Sequence, residues 1–154
     1  MAFADAIRTE TASLEDVATK LEALLLTCPL GSESGTVSTT STTFTQLGTL
    51  SLTVSVPSGG LVIVRAHIPY SIGSTTHSAY FGLSEDSTST VLSDEVNLWP
   101  ELAKTSGFNQ QASLVLRSNP SAGNHTYRIL WKVDSGGTVY SATRRIMTAE
   151  VYAQ

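Results

Sequence analysis

Alternation of apolar and polar residues predicts extended strands throughout the C-terminal part of the chain. The pattern is most regular over residues 126–133, where one face carries four large side chains: Tyr127, Ile129, Trp131 and Val133. Residues 134–137 have the sequence Asp-Ser-Gly-Gly, which tolerates positive φ and predicts a tight reversal. Extended segments are predicted again over residues 138–142 and 147–151. We therefore expect a long β-hairpin to close the chain.

The same period of two recurs in the middle of the chain. Residues 50–56 and 61–68 each place apolar side chains on one face, and residues 57–60 (Pro-Ser-Gly-Gly) predict the turn between them. Residues 61–64 are apolar on both faces, which suits a strand covered on each side, and Pro69 is expected to end it. Further strands are predicted over residues 77–84, 88–92 and 111–118. About eight strands at near-regular spacing indicate an all-β sandwich or barrel.

Residues 94–110 interrupt the alternation over a length that is unusual for a loop. We predict one helical turn over residues 100–104, beginning at Pro100. A long apolar loop normally covers a surface, so we expect this one to contact a ligand or a neighbouring subunit through Leu98, Trp99 and Phe108.

The N-terminal residues 3–28 show the periodicity of a helix rather than that of a strand. Their apolar side chains follow alternating intervals of four and three residues, a heptad pattern that only Glu10 interrupts. Residues 13–16 resemble a capping box, and Asp16 can pair with Lys20 one turn later. The helix either enters a coiled coil or lies against its own domain, and both arrangements require a partner surface. We expect its docking or trimerisation face to consist of Phe3, Ile7, Leu14, Val17, Leu21 and Leu24.

A change of composition separates this helix from the strands. Pro29 is expected to end the helix, and residues 31–43, which are rich in glycine, serine and threonine, have the composition of a flexible linker or arm. We therefore divide the chain into a helix and linker, residues 1–43, and a β domain, residues 44–154.

Composition narrows the class of protein. Serine and threonine account for 42 of the 154 residues and charged residues for only 14%, which suits the surface of a β-sheet. The net charge of −4 and the lack of a basic cluster larger than Arg144–Arg145 argue against a nucleic-acid partner. No apolar stretch reaches the roughly 20 residues of a membrane span, and the N-terminus does not resemble a secretory signal. We expect a protein made in a reducing cytoplasm, without a membrane partner.

Residues that could bind a metal or act in catalysis are scattered along the chain. The histidines fall on separate strands or turns: His67, His77 and His125. A trimer could gather three copies of one histidine around its axis, but ordinary structural positions are favoured. Four acids lie near one another without the spacing of a calcium-binding loop: Glu85, Asp86, Asp94 and Glu95. Cys28 continues the apolar face of the helix and is expected to be buried and inert. We expect no enzyme activity, no cofactor and no bound metal.

Residues 122–138 resemble a pattern found in bacteriophage virion surface proteins. The run Ala-Gly-Asn-His-Thr-Tyr-Arg-Ile-Leu-Trp-Lys-Val, residues 122–133, is followed by Ser-Gly-Gly-Thr at residues 135–138, and the turn at residues 57–60 precedes an apolar strand. This combination is similar to the trimeric jelly-roll modules of head-decoration proteins, head fibres and tail-fibre tips. The resemblance extends over residues 44–154. It implies an eight-stranded antiparallel jelly-roll sandwich that forms a homotrimer, with the N-terminal helix or arm attaching it to the particle.

The same resemblance implies a virion structural protein that decorates a capsid or attaches to a phage head. Its partners would be its own copies and the major capsid protein or another virion protein, and it would stabilise the particle. Apolar residues in excess of one core, on residues 61–64 and on the outer side of the last strand, could be buried at the three-fold interface: Ile146, Thr148 and Tyr152. The alternative is a receptor-binding tip that holds host carbohydrate through the 94–110 loop or through aromatic rings: Tyr70, Tyr80, Trp99 and Tyr140.

Overall fold

The computed structural model describes residues 25–73, 77–92, 96–98, 110–134, 136–141 and 143–153, and within these ranges the chain forms strands and no helix. The strands are β1 (Leu25–Thr27), β2 (Leu30–Glu33), β3 (Val37–Thr39), β4 (Thr45–Val56), β5 (Leu61–Ile72), β6 (Ala79–Glu85), β7 (Val96–Leu98), β8 (Gln110–Ser118), β9 (Gly123–Val133), β10 (Val139–Ser141) and β11 (Arg145–Tyr152).

The strands form two antiparallel sheets. In the first sheet β5 is central, with β8 on one side and β10 and β11 on the other, where they pair successive parts of β5. Strands β1, β2 and β3 pair in turn with β11 and β10, and so occupy the edge. The second sheet has the order β4, β9, β6, β7. The short strands β1–β3 together occupy one position in the first sheet, and β10 and β11 together occupy another. Numbered in chain order, the described strands then fill eight positions. The first sheet has the order first-eighth-third-sixth, and the second sheet has the order second-seventh-fourth-fifth.

The core lies between the sheets and follows the predicted alternation. Strand β5 contributes Val62, Val64, Ala66 and Ile68, and β9 contributes Tyr127, Ile129, Trp131 and Val133. Phe81 of β6 lies between two of the rings, with centroid distances of 4.9 Å to Tyr70 and 6.4 Å to Trp131. Burial of these large apolar side chains, each contributing about 1.5–3 kcal/mol, is the main stabilisation of the sandwich.

The predicted closing hairpin is wrong. Strand β9 pairs with β4 and β6 of the second sheet, whereas β10 pairs with β3 and β5 of the first, so residues 134–137 carry the chain from one sheet to the other. Turn residues fix where a chain reverses, but they do not determine which strand becomes the neighbour. Both sides of β9 are already occupied, and its continuation must pair elsewhere.

The prediction that a helix reaches Cys28 is also wrong at its C-terminal end, because Leu25–Thr27 is strand β1. The predicted linker, residues 31–43, contains most of β2 and all of β3. The physical reason is the exposed edge of β10 and β11, whose unpaired backbone groups accept a serine- and threonine-rich segment as the next strand. The helical face predicted for residues 3–24 lies outside the described residues.

Three smaller predictions need correction. Pro69 lies inside β5 without disrupting it, because its missing N–H would point to the side where neither β10 nor β11 pairs with β5 at this position. Its carbonyl, on the same side, accepts a 2.6 Å hydrogen bond from Ser141 Oγ. Residues 88–92 are not a strand: they cross the outside of the second sheet, where Val91 lies over Gly82. Strand β7 falls within the predicted 94–110 loop.

Candidate functional site

The outer face of the first sheet carries apolar side chains that no other described residue covers. The alternation that buries Val62 and Val64 turns Ile63 outward on β5 and Ile146 outward on β11. On the neighbouring strand β8, Val115 is 61% exposed, although it is branched and apolar. Isolated exposed apolar residues are ordinary, but these lie on adjacent strands of one face.

A shallow groove of about 250 Å³ runs across this face between β8, β5 and β11. We call it the outer groove; its lining residues are Arg65, Ala66, His67, Ser113, Leu114, Val115, Ile146 and Thr148. Most of the lining is apolar, and its single aromatic-type ring is the half-buried imidazole of His67. The outer groove is therefore suited to contact with another apolar surface.

Two charged side chains at the outer groove, Arg65 and Glu150, pair with each other, whereas Arg117 is exposed on the same face of β8. Arg65 of β5 donates to Glu150 of β11, which also accepts a 2.7 Å hydrogen bond from Tyr152 Oη. The Arg65 hydrogen bond lowers the pKa of Glu150, and the Glu150 carboxylate raises the pKa of Arg65. An ion pair that is satisfied within one chain leaves little net charge to repel a second copy of the chain.

A contact between Arg145 and Glu33 holds β2, most of which lies in the predicted linker, at the edge of the first sheet. Glu33 of β2 accepts hydrogen bonds from the Thr49 amide at 2.9 Å, the Thr49 hydroxyl at 2.8 Å and the Leu50 amide at 3.3 Å. These amides lie where β4 shifts register against β9, so Glu33 satisfies donors at an irregularity of the opposite sheet. Behind it, the fully buried Arg145 has Nη2 3.3 Å from Glu33 and donates through Nη1 to the carbonyls of Gly35 and Ser141.

The pKa of Glu33 reflects this arrangement. Burial alone would raise the pKa of its carboxyl, but the Thr49 hydrogen bonds, the Arg145 charge and the Leu50 amide outweigh burial and leave the pKa below its ordinary value. The ionised carboxylate is therefore the form that the folded protein stabilises.

Three side chains with metal-ligating atoms converge at the end of β6. His125 Nδ1 lies 2.8 Å from Asp86 Oδ2 and 3.2 Å from Glu85 Oε1. Consecutive residues of a strand normally point to opposite faces, but Asp86 adopts a left-handed conformation with φ of 53°, which lets both acids approach the imidazole. We call Glu85, Asp86 and His125 the His125 cluster.

Hydrogen bonds orient every member of the His125 cluster. His125 Nε2 donates to the Ser121 carbonyl at 2.9 Å, and Asp86 Oδ1 accepts from the Thr126 amide at 2.7 Å. Burial alone would lower the pKa of His125, but the Ser121 carbonyl and the two carboxylates outweigh burial and raise it. The Thr126 amide and the imidazole lower the pKa of Asp86.

The remaining sequence-predicted residues separate into distinct environments. Tyr70 is buried in the core, and burial raises its pKa to about 12. Tyr80 lies under the Lys132 ammonium, whereas Tyr140 is 38% exposed.

His77 pairs with Asp134 through Nδ1 at 2.9 Å. Cys28 is exposed, contrary to the buried position expected on a helix, because residues 28 and 29 connect β1 to β2. Leu98 belongs to β7; Asp94, Glu95, Trp99 and Phe108 lie outside the described residues.

Sequence reasoning found the outward residues of β11 and missed the other half of the surface. Ile146 and Thr148 were expected on the outer face, and both line the outer groove. Val115 could not be recognised as exposed from the sequence, because it lies in the apolar run of residues 114–116, which does not show which side faces outward. Glu33 and Arg145 were missed because their contact joins residues 112 positions apart.

Among the described residues no helix is long and apolar enough to cross a membrane. No protein-family model matches the chain, and no curated protein is similar to it in sequence.

Several solved structures share a similar arrangement of strands. The chain is similar to the EclA C-terminal domain, a sugar-binding protein, with 12% identity and a TM-score of 0.43 over 74% of this chain and 78% of that one. The structure of infectious bursal disease virus Gx strain gives 7% identity and a TM-score of 0.48 over 81% of this chain and 32% of that one. Eiger TNF from S. frugiperda gives 12% identity and a TM-score of 0.44 over 80% of this chain and 92% of that one. Similarity at this level carries no argument about function.

Proposed function

We propose that the protein is a homotrimeric structural component of a phage virion, which decorates a capsid or attaches to the head and stabilises it. The observation that carries the proposal is the outer groove, an apolar surface across β8, β5 and β11 whose Arg65 pairs with Glu150 of the same chain. A second copy of the chain is the occupant that we assign to this surface, because obligate homo-oligomers bury apolar faces of this kind.

The strand order supports the jelly-roll form of this sandwich. Two four-position sheets with the order first-eighth-third-sixth and second-seventh-fourth-fifth arise when a long hairpin folds over on itself, which is the jelly-roll arrangement used in viral capsid and lectin domains. In this arrangement the edge strands β1–β3 hold the start of the sandwich firmly in the first sheet. Residues 1–24 precede β1 and are the segment that we assign to docking on the particle.

The proposed mechanism is stabilisation by binding. A trimer that binds the assembled shell and not its separated subunits favours the shell by mass action. The serine- and threonine-rich surface, with 14% charged residues in the chain, would keep the trimer soluble without strong long-range charge.

The test is reconstitution on particles. The gene would be deleted from the phage that carries it, and purified chain would be added back to the deletion particles, with sedimentation and heat stability as readouts. We expect saturable binding in multiples of three and a higher temperature of particle disruption. Absence of the chain from purified wild-type virions, measured by mass spectrometry, would contradict the proposal.

Carbohydrate binding is retained as a second candidate because Tyr140, in the middle of β10, presents an exposed ring. Exposed aromatic rings can stack on sugars. A glycan array distinguishes the two functions: a decoration protein should bind deletion particles and no glycan, whereas Tyr140-dependent glycan binding would favour the receptor-binding tip.

A further inference from the structure

We propose that the His125 cluster binds one divalent transition-metal cation of the zinc class, with His125 Nδ1 and one oxygen each of Glu85 and Asp86 as ligands. The ligand atoms of the three residues all lie within 4.8 Å of one another. They come from the end of β6 and the start of β9, so a bound cation would tie the turn after β6 to the adjacent strand.

The imidazole is held in the orientation that metal-binding histidines require. Because the Ser121 carbonyl can only accept a hydrogen bond, His125 Nε2 must carry a proton, and Nδ1 is then the atom that faces the two carboxylates. A ligating histidine typically donates its second ring nitrogen to a carbonyl in this way. The orientation of Nδ1 is therefore fixed without the cation.

Each carboxylate is held by one oxygen and presents the other. Asp86 Oδ1 accepts from the Thr126 amide, and its Oδ2 faces the imidazole. Glu85 Oε2 accepts from Ser118 and Tyr127, and its Oε1 faces the same ring nitrogen. Each carboxylate is therefore oriented by hydrogen bonds to one oxygen, while its other oxygen is directed at Nδ1.

The donor set and its spacing select the kind of cation. Zinc bonded at about 2.1 Å in tetrahedral geometry separates its ligand atoms by roughly 3.4 Å, close to the 2.8 and 3.2 Å between Nδ1 and the two oxygens. Calcium prefers about six to eight oxygens and is a poorer match for an imidazole. The Asp86 side chain is 50% exposed, so it can move outward by a few tenths of an ångström and leave a fourth position for water.

Charge favours a cation at this position. The Arg128 guanidinium acts on Asp86, the more exposed of the two carboxylates. When a cation displaces the proton on Nδ1 the imidazole becomes neutral, and the excess negative charge of the two carboxylates is then compensated by the divalent cation. A proton on Nδ1 competes with the cation for the same position, so binding should be measured near pH 8.

The chain contains a matched control in the pair of His77 and Asp134. His77 Nδ1 lies 2.9 Å from Asp134 Oδ1, and Asp134 Oδ2 accepts from the Ser78 amide, so one carboxylate is oriented just as in the His125 cluster. This pair has no second carboxylate among the described residues and offers two ligand atoms instead of three. It should not retain a cation.

The experiment uses the full chain, freed of metal with a chelator and then titrated at pH 8 with Zn²⁺, Mn²⁺, Ca²⁺ or Mg²⁺. Metal content after gel filtration and the Tm would be measured for the wild type, His125→Gln and His77→Gln. We expect one Zn²⁺ per chain and a rise in Tm of about 5–10 °C at free Zn²⁺ of about 100 times Kd, for the wild type and His77→Gln alike. His125→Gln, whose amide can still donate to the Ser121 carbonyl, should bind no Zn²⁺ and show no rise.

Asp86→Asn provides the second variant in case His125→Gln does not fold, because Asp86 is half exposed and the amide oxygen can keep the Thr126 hydrogen bond. With its amide nitrogen turned toward the imidazole, this variant is left with two ligand atoms, as in the pair of His77 and Asp134, and should retain no Zn²⁺ after gel filtration. A wild type that binds no Zn²⁺ would overturn the proposal, as would a loss of binding in His77→Gln equal to that in His125→Gln.

Discussion

The outer faces of the two sheets have the same pleat, but the strands of the first carry apolar side chains there and those of the second carry polar ones. The first sheet presents Val115 and Ile146 in the outer groove and Ile63 beside it on β5. The second presents small polar side chains along β4, and Thr53 Oγ1 lies 2.9 Å from Thr126 Oγ1 of the neighbouring strand. The same period of two thus produces one apolar face and one polar face.

The second sheet covers part of its apolar surface with other residues of its own chain. The Lys132 ammonium lies 4.6 Å from the ring centre of Phe44 and 4.7 Å from that of Tyr80. Val91 lies over Gly82 of β6, where a side chain at residue 82 would leave it no room. These contacts cover Phe44, Tyr80 and Gly82 and leave Leu92 53% exposed, whereas none of the described residues covers the outer groove. If the chain assembles as we propose, this difference favours the first sheet as the contact surface.

The largest effect is expected from a charge in the outer groove. Val115→Asp should convert the trimer to a monomer, because an unpaired carboxylate would have to be buried in an apolar contact. Val115 is 61% exposed in the single chain, so the fold itself should tolerate the change. Light scattering after size exclusion measures the mass.

Ser55→Asp is the matched control for Val115→Asp, since Ser55 is exposed on β4 of the opposite sheet. Its mass should equal that of the wild type. If both variants had the same reduced solution mass, the effect of the charge would not depend on the face of the sandwich. That result would contradict the contrast between the two sheets.

The edge of the first sheet should be the most sensitive part of the fold itself. Arg145→Met removes a fully buried guanidinium and leaves the Glu33 carboxylate without its partner, which should cost about 3 kcal/mol in the free energy of unfolding. Urea denaturation measures the change. Arg144→Met, at an exposed neighbouring position, should have a free energy of unfolding within about 0.5 kcal/mol of the wild type. If Arg145→Met lowers the free energy of unfolding by less than about 1 kcal/mol, as expected for an exposed ion pair, the structural role of Arg145 would be contradicted.

Acid should remove the contribution of Glu33. Because the folded protein lowers the pKa of Glu33, the carboxylate stabilises the fold above its unfolded pKa, near 4.5, and this stability is lost as pH falls through the lower folded value. Glu33→Gln should therefore be less stable than the wild type at neutral pH, with the difference shrinking below pH 4.5. Urea midpoints across the acid range measure it; a difference that stays constant with pH would contradict the lowered pKa.

The smallest effect concerns the polar face. A double-mutant cycle of Thr53→Val and Thr126→Val should give a coupling free energy of about 0.2–1 kcal/mol, typical of a cross-strand hydroxyl pair. The mass should remain that of the wild type in all three variants. A change of oligomeric state here would place assembly on the second sheet.

Local alternation was sufficient to locate β5, β9 and β11 and their buried faces, because burial on a pleated sheet has a period of two. It could not show that residues 134–137 cross between sheets, since the turn chemistry is the same for both routes. It also could not place residues 30–39, whose strand character comes from the edge of β10 and β11 rather than from their own composition.

The His125 cluster illustrates a second kind of limit. Glu85, Asp86 and His125 were each singled out from the sequence, but alternation would send consecutive acids to opposite faces. The left-handed conformation of Asp86 brings them together, and an aspartate in that conformation has no clear signature in the sequence.

The most direct test is the solution mass of the full chain and of a chain lacking residues 1–24, by light scattering after size exclusion. The truncation ends at residue 24 because β1 begins at Leu25 and a longer deletion would remove edge strands. With assembly on the outer groove, both chains should be trimers, the full one with three times the 16.3 kDa of a single chain. A truncated monomer beside a full-length trimer would assign trimerisation to residues 1–24, and monomers in both cases would contradict assembly through the first sheet.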